Sequence, residues 1–270
     1  MSVAVMNAQA ALAVMRRDFQ ILMSYRTQLI SVVFGGFLTL TIFYYVSRLV
    51  SVGAFKSPDD YYAFVVVGIV ILQMLQSVLV GPPAVLRQEL LAGTFERIVL
   101  SPFGPVAGIV SMLLFPFVMA LITGAVTLLF AIVVFGVDLE LSSAPLAIPA
   151  AFLAGLAFAP FGVLLVAIVL IVKQAAVGTS FVIAAISLIA GFYFPTTLLP
   201  GWIEWASEVQ PFTPGVDLLR HLLLGSAPRE STWLEVGKLV GFSAAMLPLS
   251  LGLLSLTVRV TRRRGTIIEY

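Results

Sequence analysis

The sequence has no cysteine and a single histidine, His221, among its 270 residues. The lack of cysteine excludes disulfides, thiol chemistry and Cys-ligated metals, and one histidine argues against a histidine metal site or proton relay. Only 10% of the residues are charged, whereas an ordinary soluble domain carries about 25%. A net charge of +2 gives no basis for a nucleic-acid partner. These shortages exclude an ordinary soluble domain.

Motifs of common catalytic sites are also absent. The sequence has no GxxxxGK[ST] phosphate loop, no HExxH and no GxSxG. Asp59 and Asp60 precede an apolar run, where acidic residues more often cap a helix than form an acid-base pair. We therefore expect no catalytic residue, no metal site and no cofactor bound by this chain.

Long apolar runs are what the sequence does contain, since 60% of its residues are hydrophobic. About 20 helical residues cross the hydrocarbon core of a membrane. We predict an all-α membrane protein in which residues 1–270 form a single domain with six transmembrane helices. The predicted spans are 28–49, 61–81, 104–136, 146–172, 175–195 and 237–258.

The first predicted helix, 7–25, is amphipathic rather than membrane-spanning. Apolar residues recur every three or four positions, and Arg16 and Arg17 lie at the polar edge, a pattern typical of a helix in the membrane interface. A signal peptide is excluded because the basic pair follows the apolar start instead of preceding it.

The basic residues predict the orientation of the chain. With the N-terminus inside, ten basic residues fall in cytoplasmic segments and five outside. Cytoplasmic loops carry the excess of Lys and Arg. We therefore expect a multi-pass protein of the cell membrane, most simply the bacterial cytoplasmic membrane, with both termini in the cytoplasm.

The predicted span interiors carry no ionisable side chain, which argues against an ion-driven transporter or a voltage sensor. Gln73 and Gln76 share one face of the second span, where they form either an interhelical hydrogen-bond pair or part of a substrate path. The fifth span carries a stripe of small residues that packs closely, within the subunit or across a dimer axis. Its members include Ser180, Ala184, Ser187 and Gly191.

Two segments between spans stand out. Residues 86–102, LRQELLAGTFERIVLSP, form a short amphipathic elbow with Gly93 in the middle and Ser101-Pro102 at the end, which we predict to be a docking site for a soluble partner. Residues 196–236 are too interrupted by proline and glycine to span and too apolar for a free loop. They form either an ordinary interfacial loop or short helices that re-enter the outer leaflet.

Both segments resemble motifs of the ABC type-2 exporter permeases. The pattern R-x-E-x-x-x-G-T-F-E-x-[I/L]-x-x-S-P, from Arg87 to Pro102, resembles the cytoplasmic elbow of that family. The outer segment, from Gly191 to Gly225, resembles its second signature. With the N-terminal helix and six spans, the resemblance covers nearly the whole chain.

The resemblance implies a homodimer or heterodimer of permeases in which each half docks a separate ATP-binding subunit. It implies two such subunits in the complex, with ATP and Mg on them and not on this chain. The interfacial helix and the elbow, as coupling helix, take up the motion of the ATPase. The implied docking residues are Arg16, Arg17, Arg87, Glu89, Gly93, Thr94, Phe95 and Glu96.

The resemblance further implies that the first, second and fifth spans line the path and the dimer interface. The short outer helices gate the exit. The implied gate residues are Pro195, Pro200, Trp202, Trp205, Pro211 and Arg220. In the family the residues after Pro195 are often more acidic or aromatic than the Thr-Thr-Leu-Leu-Pro found here.

Two questions stay open at the level of sequence. Glu89 and Glu96 either contact basic groups on an ATPase or pair with Arg87 and Arg97 at helical spacing. The mostly apolar spans favour an amphipathic, drug-like or lipid-linked cargo over a polysaccharide, although aromatic rings near the span ends suit sugars as well as lipid. A non-transport membrane scaffold is the alternative from another functional class. In either case we expect membrane lipids among the partners.

Overall fold

The computed structural model describes residues 3–24, 26–49, 53, 55–95, 104–140, 142–172, 179–227 and 229–263. These residues form α-helices and one short 3-10 helix, Thr196–Leu198, with no strand among them. The helices are α1 (Val3–Ser24), α2 (Arg26–Leu49), α3 (Pro58–Leu91), α4 (Pro105–Phe135), α5 (Ala144–Val172), α6 (Thr179–Ile189), α7 (Gly201–Val209), α8 (Phe212–Leu224) and α9 (Thr232–Arg263).

Four of these helices are long and apolar enough to cross a membrane: α3, α4, α5 and α9. They correspond to the second, third, fourth and sixth predicted spans, so the all-α, multi-pass prediction is confirmed in outline. The first predicted span lies on α2, and α6, the helix described within the fifth, has 11 residues. The full six-span layout therefore stays a prediction.

Helix α3 is longer than the predicted span 61–81. Ser57 caps it by accepting the backbone N–H of Asp60 at 3.1 Å, and Pro58 opens it. It then continues to Leu91, where Gly93 turns the chain with a φ of +67°. The prediction that the elbow begins at residue 86, separate from the span, was therefore wrong, because residues 86–91 belong to α3. The helix continues because Leu86 is fully buried and no helix breaker follows before Gly93.

Pro82 and Pro83 lie inside α3. Proline has no backbone N–H, so Pro82 cannot donate to the carbonyl of Val78. Helix α5 passes close to that carbonyl, since a Cβ on Gly162 would lie 2.3 Å from it. Glycine is therefore required at position 162, and α5 is held against the point where α3 lacks a hydrogen bond.

The core surrounds α3. Helix α3 packs against α4 and α5, and α5 packs against α9 and α8. At the Pro58 end, Tyr61, Tyr62 and Val65 are buried with residues of α2 and α4. At the Leu91 end, Leu86 and Phe95 are buried with residues of α4, α5 and α9. Helix α3 therefore joins two separately packed ends of the molecule.

The segment 196–236 contains the 3-10 helix, α7, α8 and the first turn of α9. Short helices, one of the two alternatives for this segment, are therefore present, and their re-entry into the outer leaflet stays a prediction. The predicted boundary was wrong, because 232–236 already belong to the last long helix. Helix α8 is buried against α3, α5 and α9. Helix α1 agrees in position with the predicted helix 7–25 and packs on α4.

Candidate functional site

An ion pair joins α1 to the end of α3. The Arg17 Nη1 atom lies 2.8 Å from Glu89 Oε1, and Arg17 also pairs with Asp18 at 2.9 Å. The Thr94 hydroxyl donates to Glu89 Oε2, and the Thr94 backbone N–H donates to the Glu89 carbonyl at 3.0 Å. We call Arg17, Glu89 and Thr94 the inner cluster, after the cytoplasmic side on which the predicted orientation would place them. Both carboxylate oxygens of Glu89 are bonded within the chain.

Other predicted docking residues lie around the inner cluster with different exposures. The Phe95 side chain is only 3% exposed and packs with Leu86 within the subunit. Arg16, Arg87 and Gly93 are exposed. Glu96 lies outside the described residues, as does the remainder of the elbow to 102. A docking role for these residues stays a prediction.

At the other end of α3, Arg220 of α8 is buried among backbone carbonyls. Its guanidinium donates to the Gly191 oxygen at 2.8 Å, the Phe192 oxygen at 2.9 Å and the Phe64 oxygen at 3.2 Å. It also lies 3.3 Å from the centre of the Phe64 ring. Arg220 therefore fastens α8 to the end of α6 and to α3. We call these four residues the outer junction.

Two glycines make the outer junction possible. Gly191 has a φ of +75°, which favours glycine, and a Cβ there would lie 2.7 Å from the Thr196 methyl. A Cβ on Gly68 would lie 1.9 Å from the Phe192 oxygen. The chain after α6 therefore rests directly on the backbone of α3. Gly191 was predicted on a path or dimer interface, and here its carbonyl is a ligand of Arg220.

The remaining predicted gate residues flank the outer junction. Pro195 precedes the 3-10 helix, Pro200 precedes α7, and Pro211 is buried at the start of α8. Trp202 and Trp205 are exposed, and the Trp205 indole donates to the Trp202 carbonyl at 2.8 Å. Exposed tryptophans on a short helix suit a membrane interface. Their role as a gate stays a prediction.

A small polar cavity of about 30 Å³, enough for roughly one water, lies between α7, α8 and α9. Its wall carries Asp217, Glu230 and Glu235 together with Arg229 and Lys238. Glu235 is 2% exposed and its Oε2 atom has no partner among the described residues. Burial raises the pKa of Asp217, opposed by the charges of Arg220, Arg229 and Lys238.

Asp217 predicts a pH dependence of stability. A carboxyl whose pKa is raised in the folded state binds its proton more readily than in the unfolded state. Its contribution to stability is therefore present at low pH and is lost as pH rises through the raised pKa. We expect Asp217→Asn to be more stable than the native chain at pH 7, with the difference shrinking towards pH 5. Unfolding temperatures of both proteins over this range measure it.

Glu208→Gln is the matched control, because Glu208 lines the same cavity but its side chain is 61% exposed. A difference between Asp217→Asn and the native chain that does not change with pH would contradict the assignment.

Gln73 and Gln76 lie on the wall of a much larger cavity of about 700 Å³ between α2, α3 and α4, whose lining also includes Leu22 of α1 and Tyr193 after α6. The Thr127 hydroxyl of α4 donates to Gln73 Oε1 at 2.9 Å. Gln73 therefore takes part in an interhelical hydrogen bond, with α4 rather than with Gln76. Of the predicted small-residue stripe, Ser180 and Ala184 are exposed and Ser187 is buried.

The inner cluster and the outer junction lie at opposite ends of α3. From Phe64 at the outer junction to Glu89 in the inner cluster is roughly 38 Å at 1.5 Å per residue. The hydrocarbon core of a bilayer is about 30 Å thick. One helix therefore connects two charged or polar assemblies that fit opposite faces of a membrane.

Sequence reasoning missed several residues of these assemblies. The pairing of Arg17 with Glu89 joins residues 72 positions apart in sequence, beyond any local pattern. Thr127 and Asp217 gave no signal, since a single threonine or aspartate is common. Glu235 lies three residues before Lys238, a spacing that signals one helix face, but the predicted boundary between the outer segment and the last span falls between them.

Comparison with known proteins gives the class of the molecule. The model of the ABC-2 family of transporter proteins matches residues 47–257, which include α3 to α8 and most of α9. No curated protein matches the chain. Members of that family are membrane permease subunits of ABC transporters, which work with an ATP-binding partner and are not themselves the ATPase. The match covers most of the sequence, so this chain belongs to the ABC-2 family of transporter proteins.

Proposed function

We propose that this chain is the membrane subunit of an ATP-driven exporter that moves an amphipathic, drug-like or lipid-linked substrate out of the cytoplasm by alternating access. Two copies of a separate ATP-binding subunit supply ATP and Mg, and a second permease, identical or homologous, completes the path. The observation that carries the proposal is the inner cluster, because it gives a docked ATPase a fixed point on the end of α3.

The inner cluster has the properties that such a docking point needs. The Glu89 side chain is 13% exposed and bonded on both oxygens, so the start of the elbow at Glu89 is held to α1. Arg16 and Arg87 remain exposed beside it and are available to carboxylates on a partner. A displacement of the elbow by a docked partner would therefore be transmitted to α1 through the Arg17–Glu89 ion pair and to α3 through its own backbone.

The composition of the complex is the first test. Native mass spectrometry of the tagged chain, purified gently from its own membranes, should give two copies of the 29.0 kDa chain with two ATP-binding subunits. One copy beside a different permease would keep the proposal with an asymmetric path. The absence of any ATP-binding subunit, under conditions that preserve other such complexes, would favour the scaffold alternative.

A charge exchange tests the role of the inner cluster. Arg17→Glu places two carboxylates together, so we expect the elbow to detach from α1. The ATP hydrolysis rate of the reconstituted complex should then fall about tenfold, equivalent to about 1.4 kcal/mol in the barrier. The double variant Arg17→Glu/Glu89→Arg restores an opposite pair and should recover most of the rate.

Arg16→Glu is the matched control, because Arg16 is exposed and adjacent in sequence but is not bonded to Glu89. If Arg16 contacts the partner, its substitution weakens complex formation, and adding Glu89→Arg does not rescue it. Equal rescue of both variants by Glu89→Arg would show a general charge effect and would refute a specific link between α1 and the elbow.

A further inference from the structure

The small polar cavity between α7, α8 and α9 has an excess of negative charge on its wall. Four carboxylates and two basic side chains line it: Glu208, Asp217, Glu230, Glu235, Arg229 and Lys238. Both basic side chains are already paired, since Arg229 bonds to Glu204 at 3.1 Å and Lys238 to Glu230 at 2.5 Å. Asp217 and Glu235 are the lining carboxylates that have no ion pair within 4 Å in the described part of the chain.

Glu235 is the lining residue that most needs a ligand. It lies in the first turn of α9, and the whole residue is buried. Its carboxylate has a hydrogen bond with the backbone of Glu230, but its Oε2 atom is buried with no hydrogen-bond partner among the described residues. A buried carboxylate oxygen without a donor is strongly unfavourable. A donor must therefore enter the cavity, or the carboxyl must take up a proton.

Asp217 brings a second carboxylate to the same cavity from α8. The charges of Arg220, Arg229 and Lys238 act on it only at longer range. Arg220 is not free to pair with it, because its guanidinium donates to backbone carbonyls. Two helices thus each present one carboxylate to the same small space, and neither supplies the counter-charge.

The size and chemistry of this space favour a primary ammonium group. A volume of about 30 Å³ holds roughly one water-sized group. A primary ammonium is of that size, and it carries a positive charge and three N–H donors. A trimethylammonium group is larger and has no N–H. Among the described residues, no three Asp, Glu or His side chains lie close enough to hold a metal ion.

Tryptophans place the cavity at the level of lipid headgroups. The chain has three tryptophans, and all of them lie on helices that line the cavity: Trp202 and Trp205 on α7 and Trp233 on α9. All three are largely exposed. Exposed tryptophans concentrate at the interface between membrane and water. Phosphatidylethanolamine presents a primary ammonium at that level.

We propose that the small polar cavity binds a primary ammonium group between Asp217 and Glu235, carried by a phosphatidylethanolamine headgroup or by a free amine. The ammonium donates to Glu235 Oε2 and to the Asp217 carboxylate, and so joins α8 to α9. The exposed tryptophans favour the lipid as its source. The inference goes beyond the proposed transport function and does not depend on it, since the two carboxylates belong to neither the inner cluster nor the outer junction.

Native mass spectrometry of lipid adducts tests the site. The complex purified from its own membranes is titrated in detergent with phosphatidylethanolamine or with phosphatidylcholine of the same acyl chains, which differs only in the methylation of its ammonium. We expect phosphatidylethanolamine to bind about tenfold more tightly, the effect of a charge-assisted hydrogen bond. Glu235→Gln keeps the shape of the side chain but removes its charge. It should lower the affinity for phosphatidylethanolamine about tenfold and leave phosphatidylcholine binding unchanged.

Asp217→Asn is the second variant, and we expect the same loss of phosphatidylethanolamine affinity. Removing this charge breaks no ion pair within the described residues, so the variant should fold. Glu208→Gln is the matched control, because Glu208 lines the same cavity but is largely exposed and lies 3.8 Å from Arg229. Its affinity for phosphatidylethanolamine should stay within about twofold of the native value.

Free ethanolamine distinguishes the two sources of the ammonium, with choline and potassium at the same concentration as controls. Displacement of phosphatidylethanolamine by ethanolamine alone identifies a site for any primary amine. Failure of ethanolamine to displace the lipid identifies a site for the lipid itself.

Three outcomes would overturn the proposal. They are equal affinity for the two lipids, equal displacement by ethanolamine, choline and potassium, and native affinity in both Glu235→Gln and Asp217→Asn. The last result would mean that the two carboxyls hold protons and no ligand.

Discussion

Gly68→Ala is expected to prevent stable folding of the chain. A Cβ at this position would lie 1.9 Å from the Phe192 oxygen and 3.0 Å from an Arg220 nitrogen, and the first contact is with backbone that cannot rotate away. Overpacking usually costs about 1–3 kcal/mol and sometimes more, and here α3 and the chain after α6 must separate. We expect a cost of about 3 kcal/mol or more, with little monodisperse protein in size-exclusion chromatography.

Gly252→Ala provides the control for this substitution. Position 252 is also within a long helix, but a Cβ there meets nothing within 4 Å. Alanine should therefore be neutral or slightly stabilising at 252, since it favours the helix. Similar behaviour of the two variants would show that the close approach of Gly68 to Phe192 does not exist in the folded protein.

Arg220→Leu has the second largest expected effect. Leucine fits an apolar environment but leaves the carbonyls of Gly191 and Phe192 without the guanidinium donors. Each buried group left unsatisfied costs about 1–3 kcal/mol, so we expect a total loss of about 3–5 kcal/mol. The apparent unfolding temperature in detergent should fall by about 10 °C.

Arg220→Lys and Arg229→Leu show whether the loss of stability in Arg220→Leu comes from the charge, from the hydrogen bonds or from removing any arginine. Lysine retains the charge, but a single ammonium cannot replace the fork that reaches three carbonyls, so stability should recover only in part. Arg229 pairs with Glu204 at 3.1 Å on a partly exposed surface, and such pairs contribute little. If Arg220→Lys is as stable as the native chain, charge alone holds the outer junction. If Arg229→Leu costs as much as Arg220→Leu, the effect is not specific to burial.

The sequence predicted the elements that depend on local patterns. Apolar runs located α3, α4, α5 and α9, and prolines located the short helices between 196 and 224. Gly93 was correctly chosen as the break in the elbow, because it turns the chain with a positive φ. These signals are local, since hydrophobic periodicity and backbone chemistry act within a few residues.

Contacts between segments far apart in the chain could not be predicted from the sequence. Arg220 was chosen as a gate residue from a motif, but its ligands at 64, 191 and 192 are set by packing of α8 against α3 and α6. Phe95 is a predicted docking residue, and its side chain is buried with Leu86 against residues of α4, α5 and α9. Which side chains of a helix are buried depends on the helices packed against it, and a single sequence does not show that packing.

The prolines in α3 have a mechanical consequence. Pro82 removes a hydrogen bond to Val78, and the backbone of Gly162 on α5 holds the helix at that point. This contact can act as a pivot for α3. From Val78 the helix extends roughly 16 Å to Glu89 and roughly 21 Å to Phe64, at 1.5 Å per residue. A tilt of α3 about this point would move its two ends in opposite directions by nearly equal distances. The position of Gly162 therefore makes α3 a lever with two almost equal arms.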